Sequence, residues 1–398
     1  MLGGFALARS TLQDANTSPA GDHISQFPLF LDESFLGRPH AGLLFGTVIG
    51  AWPMLDERYD GHPMLDYNGS CPNCPQLARA AQISVVRWGI WNAFEGMPPP
   101  SGQTAPPLTR AQFDSVIDGI RLQLGAVPLV DLPPGGSAPA SLLCPEHWGE
   151  ANLLELDRQI IRQAGSRVLL YELGNEPEIA CSVSRDAATA GAEAAGLWTN
   201  LAPSLRKTAR ALGYEIYIGG PGFTTTRVNP GDDDPEDLSM VRAYMQTIKD
   251  RYEDPRGASF HDADLIPSFF SFHAYASEYL ANGGARALDA IPRYAAYVVK
   301  VRATIDDVWG PTIGPHIQIA CTEWNYAAES SADWSSPDVP LYYTRFLNML
   351  RDTGIYLATQ FLVGSNDNQM DMITLDGRPT PYYWAFKAAS LSARSGPG

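Results

Sequence analysis

The chain has 398 residues and a mass of 43.2 kDa, with 45% hydrophobic and 18% charged residues. This composition excludes an intrinsically disordered protein and fits a folded globular one. A formal net charge of −16 and a pI near 4.8 disfavour nucleic acid and anionic membrane surfaces as main partners. No run of apolar residues is long enough to predict a membrane span.

The first ten residues, MLGGFALARS, contain a short apolar stretch without the basic start and full-length apolar region of a secretory signal. They indicate at best a truncated signal remnant. Asn16 and Asn68 begin triplets that fit the glycosylation sequon. The compartment therefore stays open, with a mild preference for a secreted or extracellular protein.

Apolar, β-branched runs recur along the chain and predict eight strands. They cover residues 43–47, 83–88, 126–131, 167–173, 215–219, 268–273, 316–322 and 356–363. A helix is expected after the second strand, where Thr109 and Gln112 form a capping-box pattern and apolar residues follow at helical spacing. Further amphipathic helices are expected at 151–164, 186–212, 238–252, 288–308, 341–352 and 382–391.

Eight strands that alternate with helices predict an α/β protein of the (β/α)8, or TIM, barrel type. We expect a single barrel domain over residues 42–390 with elaborated βα loops, an N-terminal extension over 1–41 packed on the barrel, and a tail over 391–398. A doubly wound sheet is the main alternative. That fold requires a phosphate-binding glycine loop after its first strand, and FGTVIGAW is a poor match to one.

Active sites of barrel enzymes lie at the carboxyl ends of the strands, so polar residues that end apolar runs are candidates. Strand four ends in Asn175-Glu176, and strand seven ends in Thr322-Glu323-Trp324. The two glutamates thus occupy equivalent positions on opposite sides of one barrel. Paired carboxyl groups hydrolyse glycosides, because one protonates the leaving oxygen while the other attacks the sugar or activates water.

Neighbouring strand ends supply groups that would support such a pair. Arg87 ends strand two, where it can hold a carboxylate ionised and oriented. Strand six ends with His273 and Tyr275, which can orient the attacking carboxylate, support the acid or contact a substrate. Asn175 is expected to hydrogen-bond a sugar hydroxyl. Three tryptophans near strand ends offer flat faces for a sugar: Trp324, Trp88 and Trp91.

Structural interpretations compete with each of these assignments. An acid at a helix start stabilises the helix dipole, which is the alternative for Glu176. Glu178 and Glu95 are rival acids, and Glu176 is preferred because Asn175 directly precedes it. Aromatic residues at barrel strand ends often only pack, so the tryptophans have core packing as their alternative.

Five cysteines are too few for a disulfide scaffold. Cys144 follows strand three and Cys181 follows strand four, so the two belong to adjacent loops on one barrel face and are disulfide candidates. Cys71 and Cys74 can close a small loop of their own. A zinc site there, with upstream His62, lacks a second C-x-x-C to complete four ligands. Cys321 is expected to be a small buried hydrophobic residue in strand seven.

The chain resembles the retaining glycoside hydrolases of clan A through Asn-Glu-Pro at strand four and Thr-Glu-Trp-Asn at strand seven. CTEWNY and FHAY are most similar to family 39, which includes β-xylosidases and α-L-iduronidases, whereas LGNEPE has features of family 79, the β-glucuronidase and heparanase group. The resemblance follows strand order over roughly residues 42–390. It implies Glu176 as acid/base and Glu323 as nucleophile. Gly174 replaces a tryptophan usual in family 39, and Gly89 replaces a frequent histidine.

These observations predict a retaining hydrolase of a neutral pentoside or hexoside, with carbohydrate as its partner and with no metal or cofactor required. The acidic net charge weakly disfavours uronides. The alternatives are a β-glucuronidase-like enzyme of the same clan, a non-catalytic carbohydrate-binding barrel, and a metal-dependent barrel hydrolase, which would need several histidines at strand ends. The absent side chain of Gly174 is expected to open space beside the acid/base.

Overall fold

A computed structural model describes residues 43–49, 73–90, 92–100, 106–135, 144–181, 186–224, 237–257, 260–281, 284, 286–326, 336–363, 370–374 and 377–394. Its strands are β1 Gly46–Ile49, β2 Val85–Gly89, β3 Val127–Gly135, β4 Leu170–Asn175, β5 Tyr217–Phe223, β6 Phe269–Tyr275, β7 Gln318–Asn325 and β8 Leu357–Gln360. All are parallel, each pairs with the next along the chain, and β8 pairs with β1 to close the barrel. The (β/α)8 prediction is confirmed.

Each strand begins slightly later than its apolar run, and all except β8 also end later than predicted. The runs were delimited by side-chain polarity, whereas strand pairing uses the backbone. Pairing therefore continues through polar residues, as in the Gly135–Asn175 pair of β3 and β4 and the Tyr275–Asn325 pair of β6 and β7. The polar residues at these ends consequently have the fixed geometry of a strand.

Helices surround the barrel, and the six amphipathic stretches are helical with shifted ends. In chain order the helices are α1 Cys74–Ala80, α2 Arg110–Asp118, α3 Pro145–Trp148, α4 Glu150–Ala164, α5 Pro177–Ala180, α6 Ala187–Ala211, α7 Asp237–Glu253, α8 Ala276–Ala281, α9 Ala290–Ile313, α10 Asp338–Asp352 and α11 Pro381–Arg394. The seven-residue α1 was not predicted, since it is too short for a clear periodicity. No described helix is long and apolar enough to cross a membrane.

The predicted capping box is present at the start of α2. The Thr109 side chain accepts a hydrogen bond from the backbone N–H of Gln112, while the Gln112 side chain accepts one from the backbone N–H of Thr109. These bonds satisfy donors that the first turn leaves free. Helix α9 has its irregularity at Gly310, where φ is 72°, shortly after the predicted end at residue 308.

Two apolar layers hold the barrel together. An inner layer fills the barrel axis and includes Val85, Leu129, Leu170 and Phe269, whereas a larger outer layer lies between the strands and the helices. Successive strand residues point to opposite faces, so the residues two positions later also face the axis. In β2, β3 and β4 these are Arg87, Asp131 and Glu172, all of them buried. The axis is therefore apolar below and charged towards the carboxyl ends of the strands.

The expected domain limits remain predictions. Helix α11 continues to Arg394, past residue 390, and the N-terminal extension over 1–41 lies outside the described residues.

Candidate active site

Arg87 is the centre of the polar cluster at the carboxyl end of the barrel. Its guanidinium donates to Glu172 Oε2 at 2.5 Å, to Glu323 Oε1 at 2.8 Å, to Asp131 Oδ2 at 3.0 Å and to Asn175 Oδ1 at 2.7 Å. The side chain is 1% exposed. Its neighbouring acids raise the pKa of Arg87 despite the opposing effect of burial. A permanently charged fork thus fixes four side chains from three other strands.

Two of these partners, Asp131 and Glu172, were not predicted from the sequence. Asp131 is the last residue of its apolar run and Glu172 lies inside the next run. Both are fully buried, and Glu172 also accepts a 2.7 Å hydrogen bond from Thr322 Oγ1. Burial raises the pKa of Asp131 well above its usual value, with repulsion from Glu172 and Glu323 adding to the effect while Arg87 opposes it. An acid at an inward-facing strand position was the available signal.

Glu323 is held on both carboxylate oxygens. Oε1 accepts from Arg87, and Oε2 accepts from the Tyr275 hydroxyl at 2.5 Å, with His273 Nδ1 3.5 Å away. Bonds on both oxygens leave the carboxyl group one orientation. The side chain keeps 10% exposure. An oriented carboxylate that ligands can reach is suited to nucleophilic attack.

Glu176 faces Glu323 and contacts His273. Its Oε1 lies 2.7 Å from His273 Nδ1, and its side chain is 24% exposed, more than that of Glu323. Burial lowers the pKa of His273, but the charge of Glu323 and the hydrogen bond and charge of Glu176 outweigh it and raise the pKa to about 9. The imidazole therefore holds a proton beside Glu176 at neutral pH.

The two glutamates are close enough to act on one bond. Ligand atoms of Glu176, His273 and Glu323 all lie within 4.8 Å of one another, so a carboxylate oxygen of each glutamate falls within that distance. Retaining glycosidases have carboxyl groups about 5–5.5 Å apart, whereas inverting enzymes need about 6.5–9.5 Å to admit water. The spacing favours the retaining class, which has the shorter distance between its carboxyl groups.

The same three residues are the group with metal-ligand composition and spacing within the described part of the chain. Their ligand atoms already bond to one another, to Arg87 and to Tyr275. A cation would have to approach the Arg87 charge and displace the His273 proton. The donor set therefore fits proton transfer better than it fits a metal ion.

Asn175 is held by Arg87, and Gly174 is enclosed by neighbouring residues. Asn175 Oδ1 accepts from Arg87, and its Nδ2 has no partner among the described residues, so the amide can still donate to a ligand. Gly174 has φ +101°, and an added Cβ would lie 3.4 Å from Pro221 Cβ and 3.5 Å from the Pro134 carbonyl. The expectation of open space beside Gly174 is wrong, because neighbouring prolines fill it. The backbone conformation is what requires glycine.

Trp324 and Trp88 do not provide stacking faces for a sugar. Trp324 is 0% exposed and packs on Tyr343 and Phe346 of α10, while Trp88 is 1% exposed and packs on Phe113 of α2. Each follows an inward-facing residue, so strand alternation turns it towards the helices. The predicted substrate role of both residues is corrected to core packing. Trp91 lies outside the described residues.

An aromatic residue missed in the sequence lies nearer the acids. Phe361 directly follows β8, is half-buried, and its ring centroid lies 6.1 Å from that of Tyr275 in an edge arrangement. Its position inside the apolar run 356–363 concealed it, since an aromatic residue there continues the run without a break. Phe361 supplies an apolar surface beside the Tyr275–Glu323 pair.

The rival acids have other environments. Glu95 is about half exposed and lies 3.5 Å from Arg110 in an ion pair. Glu178 accepts from the backbone N–H of Thr224 at 2.6 Å, and burial raises its pKa to about 8. The geometry therefore brings Glu176, rather than either rival, to Glu323.

The structure joins Cys144 and Cys181 in a disulfide with a Cα–Cα distance of 5.5 Å. The bond connects the segment before α3 to the residue after α5. Cys74 is also disulfide-bonded, Cys71 lies outside the described residues, and Cys321 is a buried free thiol.

No protein-family model matches the sequence, and no curated protein matches it. Solved structures do match in fold. A glucosidase from Croceicoccus marinus aligns with a TM-score of 0.56 at 13% identity, over 88% of this chain and 68% of that one. A family 39 glycoside hydrolase from Bacteroides cellulosilyticus WH2 aligns with a TM-score of 0.54 at 15% identity, over 90% of this chain and 65% of that one.

An α-L-arabinofuranosidase from Thermotoga maritima aligns with a TM-score of 0.52 at 16% identity, over 89% of this chain and 71% of that one. The chain thus spans about two thirds of the length of these three enzymes. At such identities the likeness establishes the barrel fold. The resemblance to family 39 and other glycoside hydrolases, noted in short sequence motifs, has its counterpart in this fold.

Proposed function

We propose that the chain is a retaining glycoside hydrolase with Glu323 as nucleophile and Glu176 as acid/base. The observation that carries the proposal is the pair itself: two glutamates at the ends of β4 and β7 with carboxylate oxygens within 4.8 Å. The two glutamates have different contacts and different exposure. Glu323 is fixed by Arg87 and Tyr275, while Glu176 is more exposed and contacts an imidazole.

In the first step Glu323 attacks the anomeric carbon and Glu176 gives a proton to the departing glycosidic oxygen. The bond from carbon to the leaving group breaks as a glycosyl ester of Glu323 forms. His273 Nδ1 lies 2.7 Å from Glu176 Oε1 and orients that carboxyl group for the transfer. Arg87 and Tyr275 hold the attacking carboxylate in line.

In the second step Glu176, now ionised, takes a proton from water as the water attacks the anomeric carbon. The ester bond breaks, and Glu323 returns to its carboxylate form with the sugar configuration retained. The free Nδ2 of Asn175 is placed to donate to a sugar hydroxyl during both steps. Phe361 offers the half-buried apolar surface on which a sugar face would lie.

A neutral pentoside or hexoside is the proposed substrate. Both cations of the described site, Arg87 and His273, are already engaged by acids. A uronic acid would bring a further carboxylate into a cluster with an excess of acidic groups. The fold relatives named above include a glucosidase and an arabinofuranosidase, which act on neutral sugars by name.

The test uses aryl glycosides of neutral sugars with Glu323→Ala, Glu176→Ala and, as a control, Glu95→Ala. We expect both site variants to lose activity by at least about a hundredfold, and Glu95→Ala to keep it, because Glu95 is a surface ion-pair residue. Azide should rescue Glu176→Ala on an activated substrate with retained configuration and Glu323→Ala with inverted configuration. Undiminished hydrolysis in either site variant would refute the assignment.

A carbohydrate-binding barrel without turnover is the second candidate, supported only by the low exposure of Glu323, which is 10%. Binding of a neutral sugar with no hydrolysis in the wild-type protein would favour it. A loss of activity on chelation would instead support a metal-dependent hydrolase.

A further inference from the structure

The acid/base residue sits in a conformation that its neighbours must impose. Glu176 has φ 47° and ψ 46°, in the left-handed region, which is unfavourable for a residue with a side chain. Such conformations persist only where surrounding contacts hold them. The segment that follows, Glu176 to Cys181, is therefore expected to be tied to the barrel.

Two hydrogen bonds tie this segment to the end of β5. The backbone N–H of Glu176 donates to the Gly222 carbonyl at 3.1 Å, and the backbone N–H of Thr224 donates to Glu178 Oε1 at 2.6 Å. On the other side, the Cys181–Cys144 disulfide joins the segment to the loop after β3. Glu178 thus supplies the side-chain contact that fixes α5 to β5, two residues after the acid/base.

The Glu178 carboxyl can make this contact without adding a charge. Its Oε2 is enclosed and has no partner among the described residues, and the charge of Glu176 acts on it. Burial outweighs the Thr224 hydrogen bond and raises the pKa of Glu178 to about 8, so the group is neutral at pH 7. A neutral acceptor avoids placing a second carboxylate against the acid/base.

We propose that Glu178 is a positioning residue that holds Glu176 in its proton-donating place by accepting the Thr224 N–H bond. The inference rests on the proposed function, since it assigns Glu176 as the proton donor. Glutamine has nearly the same shape and keeps the acceptor oxygen, whereas alanine removes it.

The kinetic test compares Glu178→Ala and Glu178→Gln on two glycosides of one sugar, one with a good and one with a poor leaving group. Only the poor leaving group needs the proton from Glu176. We expect Glu178→Ala to lose kcat/KM on that substrate by roughly tenfold to a hundredfold more than on the activated one. Glu178→Gln should restore activity to within about threefold of the wild type. A purely structural role would reduce both substrates equally, and that result would overturn the proposal.

A second measurement does not depend on activity. Hydrogen exchange of the peptide covering residues 174–181 should be faster in Glu178→Ala than in the wild type and unchanged in Glu178→Gln. The exposed Glu155→Ala serves as the matched control on a helix. If the wild type is inactive on every glycoside while exchange is faster in Glu178→Ala, the proposed function fails. The contact between Glu178 and Thr224 is then still shown to hold the segment in place. If exchange is unchanged in Glu178→Ala and the wild type is active, the positioning role of Glu178 is refuted.

Discussion

At the scale of residues, Arg87 allows several acids to share a buried site. Asp131, Glu172 and Glu323 all bond to the one guanidinium, and their three charges would exceed its single charge. Burial raises the pKa of Asp131, whose Oδ1 has no partner among the described residues, and so favours its neutral form. The orientation of Glu323 consequently depends on residues of β2, β3 and β4 that meet at one guanidinium.

Gly222 is the residue whose replacement should displace His273. It has φ +64°, and an added Cβ would lie 3.1 Å from His273 Nε2 and 3.3 Å from Glu172 Oε1. We expect Gly222→Ala to lower kcat on a neutral aryl glycoside by at least about tenfold, because the imidazole must move away from Glu176. Steady-state kinetics and thermal unfolding measure the two effects of the substitution.

Gly165→Ala is the matched control for Gly222→Ala. Gly165 has φ +55° and no atom within 4 Å of an added Cβ, so it carries similar backbone strain without a neighbouring side chain. It should lose stability by about 1 kcal/mol and keep its kcat. Equal kcat values for the two variants would contradict the proposed contact.

At the scale of elements, the position of a helix depends on local sequence signals in some cases and on tertiary packing in others. The capping box starts α2 where the sequence predicts, since its bonds involve neighbours in the chain. Helix α5 has only four residues and depends on Glu178, the disulfide and β5 for its place. Hydrophobic periodicity cannot identify a helix as short as four residues.

Removing the cap of α2 should change stability without changing activity. Thr109→Ala loses the side-chain acceptor for the Gln112 N–H, so we expect the free energy of unfolding to fall by about 1 kcal/mol. Thr109→Ser keeps the hydroxyl and should remain near the wild type. Urea denaturation measures the difference, and an unchanged midpoint for Thr109→Ala would show that the cap contributes nothing.

At the scale of the whole molecule, the buried titratable groups and the net charge act in the same direction with pH. The folded state raises the pKa of Glu178 from 4.5 to about 8 and that of His273 from 6.5 to about 9. The folded protein therefore binds more protons than the unfolded chain at pH values between the unfolded and folded pKa of each group. Unfolding free energy must fall as pH rises, first through Glu178 and then through His273. Growing self-repulsion from a charge of −16 at pH 7 adds to the fall.

We expect the protein to be most stable near pH 5 and to lose stability on the order of a few kcal/mol by pH 9. Urea unfolding at pH 5, 7 and 9 measures this dependence. Glu178→Gln cannot titrate, so it should flatten the decline between pH 4.5 and 8, while exposed Glu155→Gln should leave the slope unchanged. A stability that rises from pH 5 to 9 would contradict the prediction.

The sequence by itself determined the barrel, the order of its strands and the two glutamates at the ends of β4 and β7. These follow from periodicity and from the residues at strand ends, which are properties of neighbouring positions. Arg87, His273 and Tyr275 were found in the same way, and the structure brings them to Glu323 and Glu176.

The direction in which the strand-end residues face, and the distant residues that they meet, depend on tertiary packing. Strand alternation turned Trp88 and Trp324 into the outer core and brought Asp131 and Glu172 to Arg87. The conformation of Gly174 and the contact of Glu178 with Thr224 likewise depend on β5, more than forty positions away in the chain. Pairing across a closed barrel is set by packing between distant segments, and no local pattern encodes it.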